Sequence, residues 1–267
     1  MSASRAVDAR CGVSVAPWLG LSWSALEAWI AGRTHPAVLL PVGAVEQHGP
    51  FLPLGTDLII AERIAASIAA ALDVMVAPAV AIAASDAHLG FPGTLSLGTG
   101  LLTEALVRIC EQLLGRDGVG AAHGKAKFAR VFVLSAHAGN ARALRNIATL
   151  ELVSVLPGWW ELPETRNVIS GGGIIEGAHA DDTETSLLLH YGYDIPLPAL
   201  PFLLPKDADD ADPEREDTRA VSKSGILASG LYAPSAECGR ALHLASVSGY
   251  RRLLEADGVL VGTAERQ

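Results

Sequence analysis

Ala37-Val38-Leu39-Leu40-Pro41-Val42 leads into Gly43-Ala44-Val45-Glu46-Gln47-His48-Gly49-Pro50, and an Ala- and Ile-rich stretch follows from Leu58 to Leu72. A short, uniformly apolar run reads as a strand buried on both faces, and the longer stretch as the helix after it. Val131-Phe132-Val133-Leu134 repeats the pattern, passing through Ser135-Ala136-His137-Ala138-Gly139-Asn140 into a helix expected over Ala141–Leu152, with Asn140 as its N-cap. Working outward, Ser22–Ile30 reads as an amphipathic helix capped by Ser22, and Asp73–Ala83 as a strand interrupted by Pro78. Leu101–Leu114 reads as a helix, and Pro234–Ala256 as a C-terminal helix with a break at Gly249. Alternating strands and helices imply an α/β fold: a mostly parallel sheet with helices on both faces. Residues 1–20 are expected to form an N-terminal arm, and residues 21–267 a single domain.

The chemistry gathers where strands give way to helices, the usual place for sites in open α/β sheets. Glu46 and His48 are two residues apart, so at an extended strand end they point to the same side. Asp57 falls at the start of the next helix, where a carboxylate can accept free backbone N–H groups. His137 stands at a second corner among Ala136, Ala138 and Gly139, small residues that let a backbone approach a ligand. A third cluster, His179-Ala180-Asp181-Asp182-Thr183-Glu184-Thr185-Ser186, precedes the apolar run Leu187-Leu188-Leu189. Taken singly, these are equally a surface turn with a capping Asp, a histidine in a tight turn and an acidic first helical turn. Together they offer imidazoles and carboxylates without thiolates, which suits two hard-to-borderline cations sharing a bridging carboxylate. A histidine left off the metals could then protonate a leaving nitrogen.

Four stretches, in order, resemble the creatininase family of metal-dependent amidohydrolases. They are Leu40–Asp57, Gly90-Phe91-Pro92-Gly93-Thr94-Leu95-Ser96-Leu97, Ser135–Asn140 (similar to Asn-Gly-His-Gly-Gly-Asn) and His179–Ser186 (similar to His-Ala-Gly-Glu-x-Glu-Thr-Ser). The resemblance implies the family's three-layer sandwich and a dinuclear site for two divalent ions, zinc, manganese or iron. It implies Glu46, His48, Asp57, His137 and Glu184 as ligands, with Asp57 bridging. His179 would be the proton-transfer residue, with Asp182 beside it as a second candidate catalytic group. Departures from the pattern carry information. Gly139 stands where creatinine-hydrolysing members have a metal-binding Glu, which argues against creatinine as substrate. Ala87 replaces a Glu before His88, and Asp181-Asp182 replaces Gly-Glu. Ser85, His88 and the Trp159-Trp160 pair are the candidate substrate contacts, the indoles as an aromatic wall.

Half of the 267 residues are apolar, enough for one large core. A net charge of −9 argues against nucleic acid or an anionic membrane as partner. Cys11, Cys110 and Cys238 share no metal or redox spacing, so a cytoplasmic setting is expected. No signal-peptide pattern opens the chain, and no apolar run reaches the roughly twenty residues of a membrane helix. Lys206–Arg219 is a charge run that reads as a solvated loop. The family resemblance implies a homo-oligomer, often a hexamer.

Three functions follow. The first is hydrolysis of a C–N bond in a small cyclic amide or formamide. The second is trimming of a short precursor peptide: His179–Leu189, Pro198–Pro205 and Val221–Leu227 resemble the family branch that processes the precursor of the redox cofactor mycofactocin. The third is a non-catalytic binding or assembly subunit, which the substitutions at Ala87, Ser135 and Asp181 would mark.

Overall fold

The computed structural model describes residues 17–122, 124, 126–171, 177, 179–204 and 217–259. Along the chain run α1 (Trp23–Ala31), β1 (Ala37–Val42), α2 (Thr56–Ala71), β2 (Val74–Val76), α3 (Gly98–Leu113), α4 (Val119–Ala122), β3 (Arg130–Ser135), α5 (Ala141–Ile147) and β4 (Val153–Val155). Then follow α6 (Pro163–Gly171), α7 (Asp182–His190), β5 (Phe202–Leu204), α8 (Thr218–Val221), β6 (Gly230–Tyr232) and α9 (Ala236–Ala256). Strands β2-β1-β3-β4 form a parallel sheet in that order, and β5 pairs with β6 antiparallel.

Burial on both faces explains why the central strands read as continuous apolar runs rather than alternating ones. Leu39, Val76, Phe132 and Leu134 face one core with α2, α6, α7 and α9. Val38, Leu40, Met75, Val131 and Val133 face the other, with α1, α3 and α5. In α2, Ile60, Ile64 and Ile68 recur at intervals of four and are all fully buried. Each contributes roughly 1.5–3 kcal/mol by leaving water. Pro41 has no N–H to donate, and β2 stops at Val76, short of the strand expected to Ala83. The helix expected over Ala141–Leu152 ends at Ile147, and α9 continues unbroken through Gly249, where a side chain would press on Leu162 and Glu164 of the α6 segment. Ser22 caps α1 as expected, accepting from the Ala25 N–H at 3.2 Å. Of the expected arm, residues 1–16 lie outside the described residues, and so does most of the charge run. Pro17–Gly20 forms a 3-10 turn with Trp18 stacked on Phe128 at 5.7 Å.

The chain runs from β1 out to β2 on one side and returns to β3 on the other. The sheet's order therefore reverses between β1 and β3, and a crevice opens past their carboxyl ends. Helix α7 closes that crevice and is held by α9, where Gly239 lies so near the Ser186 carbonyl that an added Cβ would collide with backbone. We expect Gly239→Ala to cost about 1–3 kcal/mol, measured by urea unfolding; an unchanged midpoint would contradict this packing.

At the junction of α2, α7 and α9, buried His243 bonds Ser67 Oγ through Nε2 (3.0 Å) and Tyr191 OH through Nδ1 (3.0 Å). Burial, with His190 and Arg63 nearby, lowers its pKa from 6.5 to about 4. Below pH 6.5 the unfolded chain takes up a proton that the folded one refuses, so stability falls as the pH drops from 6.5 towards 4. The full effect is about 3 kcal/mol. His243→Gln should therefore lose less stability than the wild type between pH 7 and pH 4.5; parallel losses would contradict the assignment.

Candidate active site

Four chain segments meet at the crevice. The loop after β1 brings Glu46 and His48, the first turn of α2 brings Asp57, and the β3 exit brings His137. The segment entering α7 adds His179 and Glu184 from the opposite side. The Gly90–Leu97 stretch braces the first loop: Leu95 N–H bonds the Val45 carbonyl at 2.9 Å and Gln47 N–H bonds Thr94 Oγ1 at 3.0 Å. Asn140 occupies the N-cap position of α5, yet its side chain does not cap. Its Oδ1 accepts from Ala84 N–H (3.1 Å), and its Nδ2 donates to the Gly43 carbonyl (3.1 Å) and to Ser135 Oγ (3.2 Å), tying the strand ends together.

Asp57 also departs from the expected cap. Its carboxylate turns from the helix backbone to two imidazoles, with Oδ1 3.3 Å from His48 Nε2 and Oδ2 3.3 Å from His137 Nδ1. Glu46 Oε2 is 3.2 Å from His137 Nε2, and Glu184 Oε1 is 3.9 Å from His48 Nε2. Two triplets result, Glu46–Asp57–His137 and His48–Asp57–Glu184, each with ligand atoms within 4.8 Å of one another and both including Asp57. A third triplet joins Glu46, His48 and His179.

Several observations fit these residues to cations. Both Glu46 oxygens and Asp57 Oδ2 are buried without a hydrogen-bond partner, which is costly unless something positive satisfies them. Burial should make His48 and His137 shed protons. Asp57 beside His48, and Glu46 and Asp57 beside His137, instead raise their pKa values to about 10 and about 9. Despite its burial, Asp57 is held well below the usual carboxylate range by the same two imidazoles. Burial pushes Glu184 up to about 8 and raises Glu46. The pocket thus holds more negative charge than it can neutralise without protons or cations.

The imidazoles are oriented by backbone. His48 Nδ1 faces the Glu46 carbonyl (3.1 Å), His137 Nε2 the Ala84 carbonyl (2.9 Å), and His179 Nε2 the Gln47 carbonyl (2.7 Å). Each donates an N–H there, so the opposite nitrogen is the one turned to the carboxylates and, on giving up its proton, would offer its lone pair to a cation, as in metal-bound histidines. His88 differs. Gln47 Nε2, which also donates to the Gly225 carbonyl (3.0 Å), approaches His88 Nδ1 at 2.9 Å, so the His88 proton sits on Nε2, 3.4 Å from Glu46 Oε1. Burial, with His137 and His48 nearby, lowers the His88 pKa to about 3 and keeps the ring neutral. His88 thereby turns an N–H rather than a lone pair towards the Glu46 carboxylate, in contact with it but not hydrogen-bonded.

A cavity of about 220 Å³ lies over these groups, lined among others by His88, His137, Trp159, Trp160, His179 and Glu184. The indoles pack edge to face at 5.7 Å, Trp159 buried and Trp160 half-buried. Ser85 lines a separate polar cavity of about 50 Å³ behind His137 and Gly139. The Asp182 carboxylate accepts the Ala233 N–H (3.1 Å), and Asp182 is not among the residues that line the main cavity. The neighbouring Asp181 lines the cavity and caps α7, accepting from Thr183 N–H (2.9 Å) and Glu184 N–H (3.1 Å). Gly139 has no room for a side chain, since a Cβ would meet the His137 ring and the Ala84 carbonyl.

Two cation sites around one buried carboxylate suit hydrolysis by an activated water, and the protein is in this sense a metal-dependent hydrolase. That class narrows on comparison with known proteins: residues 20–254 match the Creatininase family (creatinine amidohydrolase), and the chain belongs to it. Among curated relatives, the mycofactocin precursor peptide peptidase of Mycobacterium tuberculosis (strain CDC 1551 / Oshkosh) is 35% identical over 80% of this chain and 82% of its own length. That of Mycolicibacterium smegmatis is 39% identical over 60% of this chain, and the match spans only 59% of the relative's length. A solved creatininase with a tryptophan-to-phenylalanine mutation is 25% identical with a TM-score of 0.63, over 89% of this chain and 96% of its own. A structure described as Creatininase Mn is 25% identical over the same shares, with a TM-score of 0.60. Among the described residues, no helix is long and apolar enough to cross a membrane.

Proposed function

We propose that this protein is a metal-dependent peptidase that trims a short precursor peptide, such as that of mycofactocin. The observation that carries this reading is the 35% identity to the Mycobacterium tuberculosis peptidase along most of both chains. Gly139 and its crowded surroundings speak against the creatinine-hydrolysing pattern, and with it against the small cyclic amide as first choice. We assign Glu46 and His137 to one divalent ion, His48 and Glu184 to the other, and Asp57 to both; zinc, manganese and iron all suit oxygen and imidazole donors. Bound there, the ions would supply a nucleophilic water at neutral pH and polarise the scissile carbonyl.

The chain's own residues do the rest. His179 is neutral, its pKa lowered by burial and by His48 and His88 nearby, and its Nε2–H is committed to the Gln47 carbonyl. Nδ1 is then free to take the proton of the attacking water and pass it to the leaving nitrogen, as the C–N bond breaks and the hydroxyl stays on the acyl carbon. His88 holds its Nε2 3.4 Å from Glu46 Oε1, so the polar N–H edge of the ring faces that carboxylate. Trp159 and Trp160 wall the substrate on one side.

Mass spectrometry of the metal-loaded protein with a synthetic precursor peptide, creatinine and a cyclic amide tests the assignment. Cleavage of the peptide with creatinine untouched is the expected result. Turnover of a cyclic amide with the peptide left intact would overturn it.

A further inference from the structure

Of the five residues assigned to the ions, Glu184 is held least by burial. Glu46, His48, Asp57 and His137 are buried, whereas the Glu184 side chain stays 13% exposed at the cavity wall. A glutamate also has several torsions to fix before it can ligate, each at a cost in entropy. The facing corner offers no substitute, because Gly139 has no room for a side chain. A hydrogen bond fixes Glu184 instead: its Oε2 accepts the Ala180 N–H at 2.8 Å, which leaves Oε1 towards His48. Ala180 makes that bond from the left-handed region, at φ 53°. A residue with a Cβ keeps this conformation only where its neighbours over-determine it.

Asp181 is such a neighbour. On the helix side its Oδ1 accepts from Thr183 N–H (2.9 Å), Thr183 Oγ1 (2.6 Å) and Glu184 N–H (3.1 Å). On the other side its Oδ2 accepts the Gly177 N–H at 2.9 Å. One buried carboxylate thus fastens the chain before and after Ala180, and neither of its oxygens belongs to a ligand triplet. We propose that Asp181 is a positioning residue for the ion beside His48. It holds the turn at Ala180 that aims Glu184, and it leaves the Glu46–Asp57–His137 set untouched. The inference rests on the two-ion reading of the site and is independent of which C–N bond is cut.

Titrating metal-free protein with zinc(II) alone, against a chromogenic chelator, counts the ions and gives the affinity of each. Asp181→Gly removes the carboxylate at little cost to folding, since glycine is tolerated at an N-cap. The wild type should take up two ions. Asp181→Gly should keep one at wild-type affinity and bind the other about tenfold or more weakly, the scale of losing a partner of a metal ligand. Asp181→Asn keeps the helix-side acceptor and loses the one for Gly177, so it should weaken the same ion by less. Ser235→Ala removes the cap of α9, where Ser235 Oγ accepts the Cys238 N–H at 3.1 Å. It should lower thermal stability and leave both affinities alone, which separates positioning from the loss of a helix cap. Unchanged affinities in Asp181→Gly, equal weakening of both ions, or the same selective loss in Ser235→Ala would overturn the proposal and leave the dinuclear site standing. If Asp181→Gly did not fold, Asp181→Asn would decide: selective weakening supports the proposal, and wild-type affinities overturn it. A wild type that takes up fewer than two ions would overturn the dinuclear site and the proposal with it.

Discussion

Asp57→Asn should strip the protein of both ions and reduce hydrolysis by on the order of 10³-fold or more. The substitution keeps size and shape but removes the charge that both ligand triplets share, so neither retains a complete set. Several kcal/mol of transition-state stabilisation leave with the ions, and each 1.4 kcal/mol is a factor of about ten in rate. The fold should survive, because Asp57 caps no helix and its contacts are with His48 and His137. Elemental analysis, circular dichroism and a turnover assay read these effects separately. Two ions retained per chain would refute the shared role.

His179→Ala separates proton transfer from metal binding. His179 Nδ1 stands 3.6 Å from Glu46 Oε1 and belongs to a cluster that could itself ligate. If its task is to move a proton, the variant keeps both ions and its KM, while kcat falls by about 10²–10⁴-fold. If it is a ligand, metal and activity disappear together. We expect the first result, since Glu46 and His48 already belong to the two triplets that share Asp57. Unchanged kcat would remove His179 from the chemistry altogether.

Much of this was legible in the sequence. Ala37–Val42 and Val131–Leu134 announce themselves because strands buried on both faces need apolar side chains at every position, and the site follows from where those runs end. The side chains expected to ligate, Glu46, His48, Asp57, His137 and Glu184, converge because their corners sit at the β1–β3 switch point and under α7. What stayed hidden depends on side-chain direction. Asp181 and Asp182 are adjacent acids, the first an extended N-cap and the second the first residue of α7, and only the tertiary packing decides that Asp181 lines the cavity while Asp182 accepts from Ala233. Asn140 and Asp57 both carry helix-start signals, yet tertiary partners claim their side chains. Gln47 looks like a spacer between two ligands, and its role in setting the His88 proton requires Gly225, distant in sequence, where an added Cβ would strike the Gln47 amide.

Whether the crevice holds two metal ions is decided by elemental analysis of protein purified without added metal or chelator, with His137→Ala as control. We expect close to two divalent ions per wild-type chain and a loss in the variant, where the Glu46–Asp57–His137 set is broken. No bound metal, even after reconstitution with zinc, manganese or iron, would contradict it.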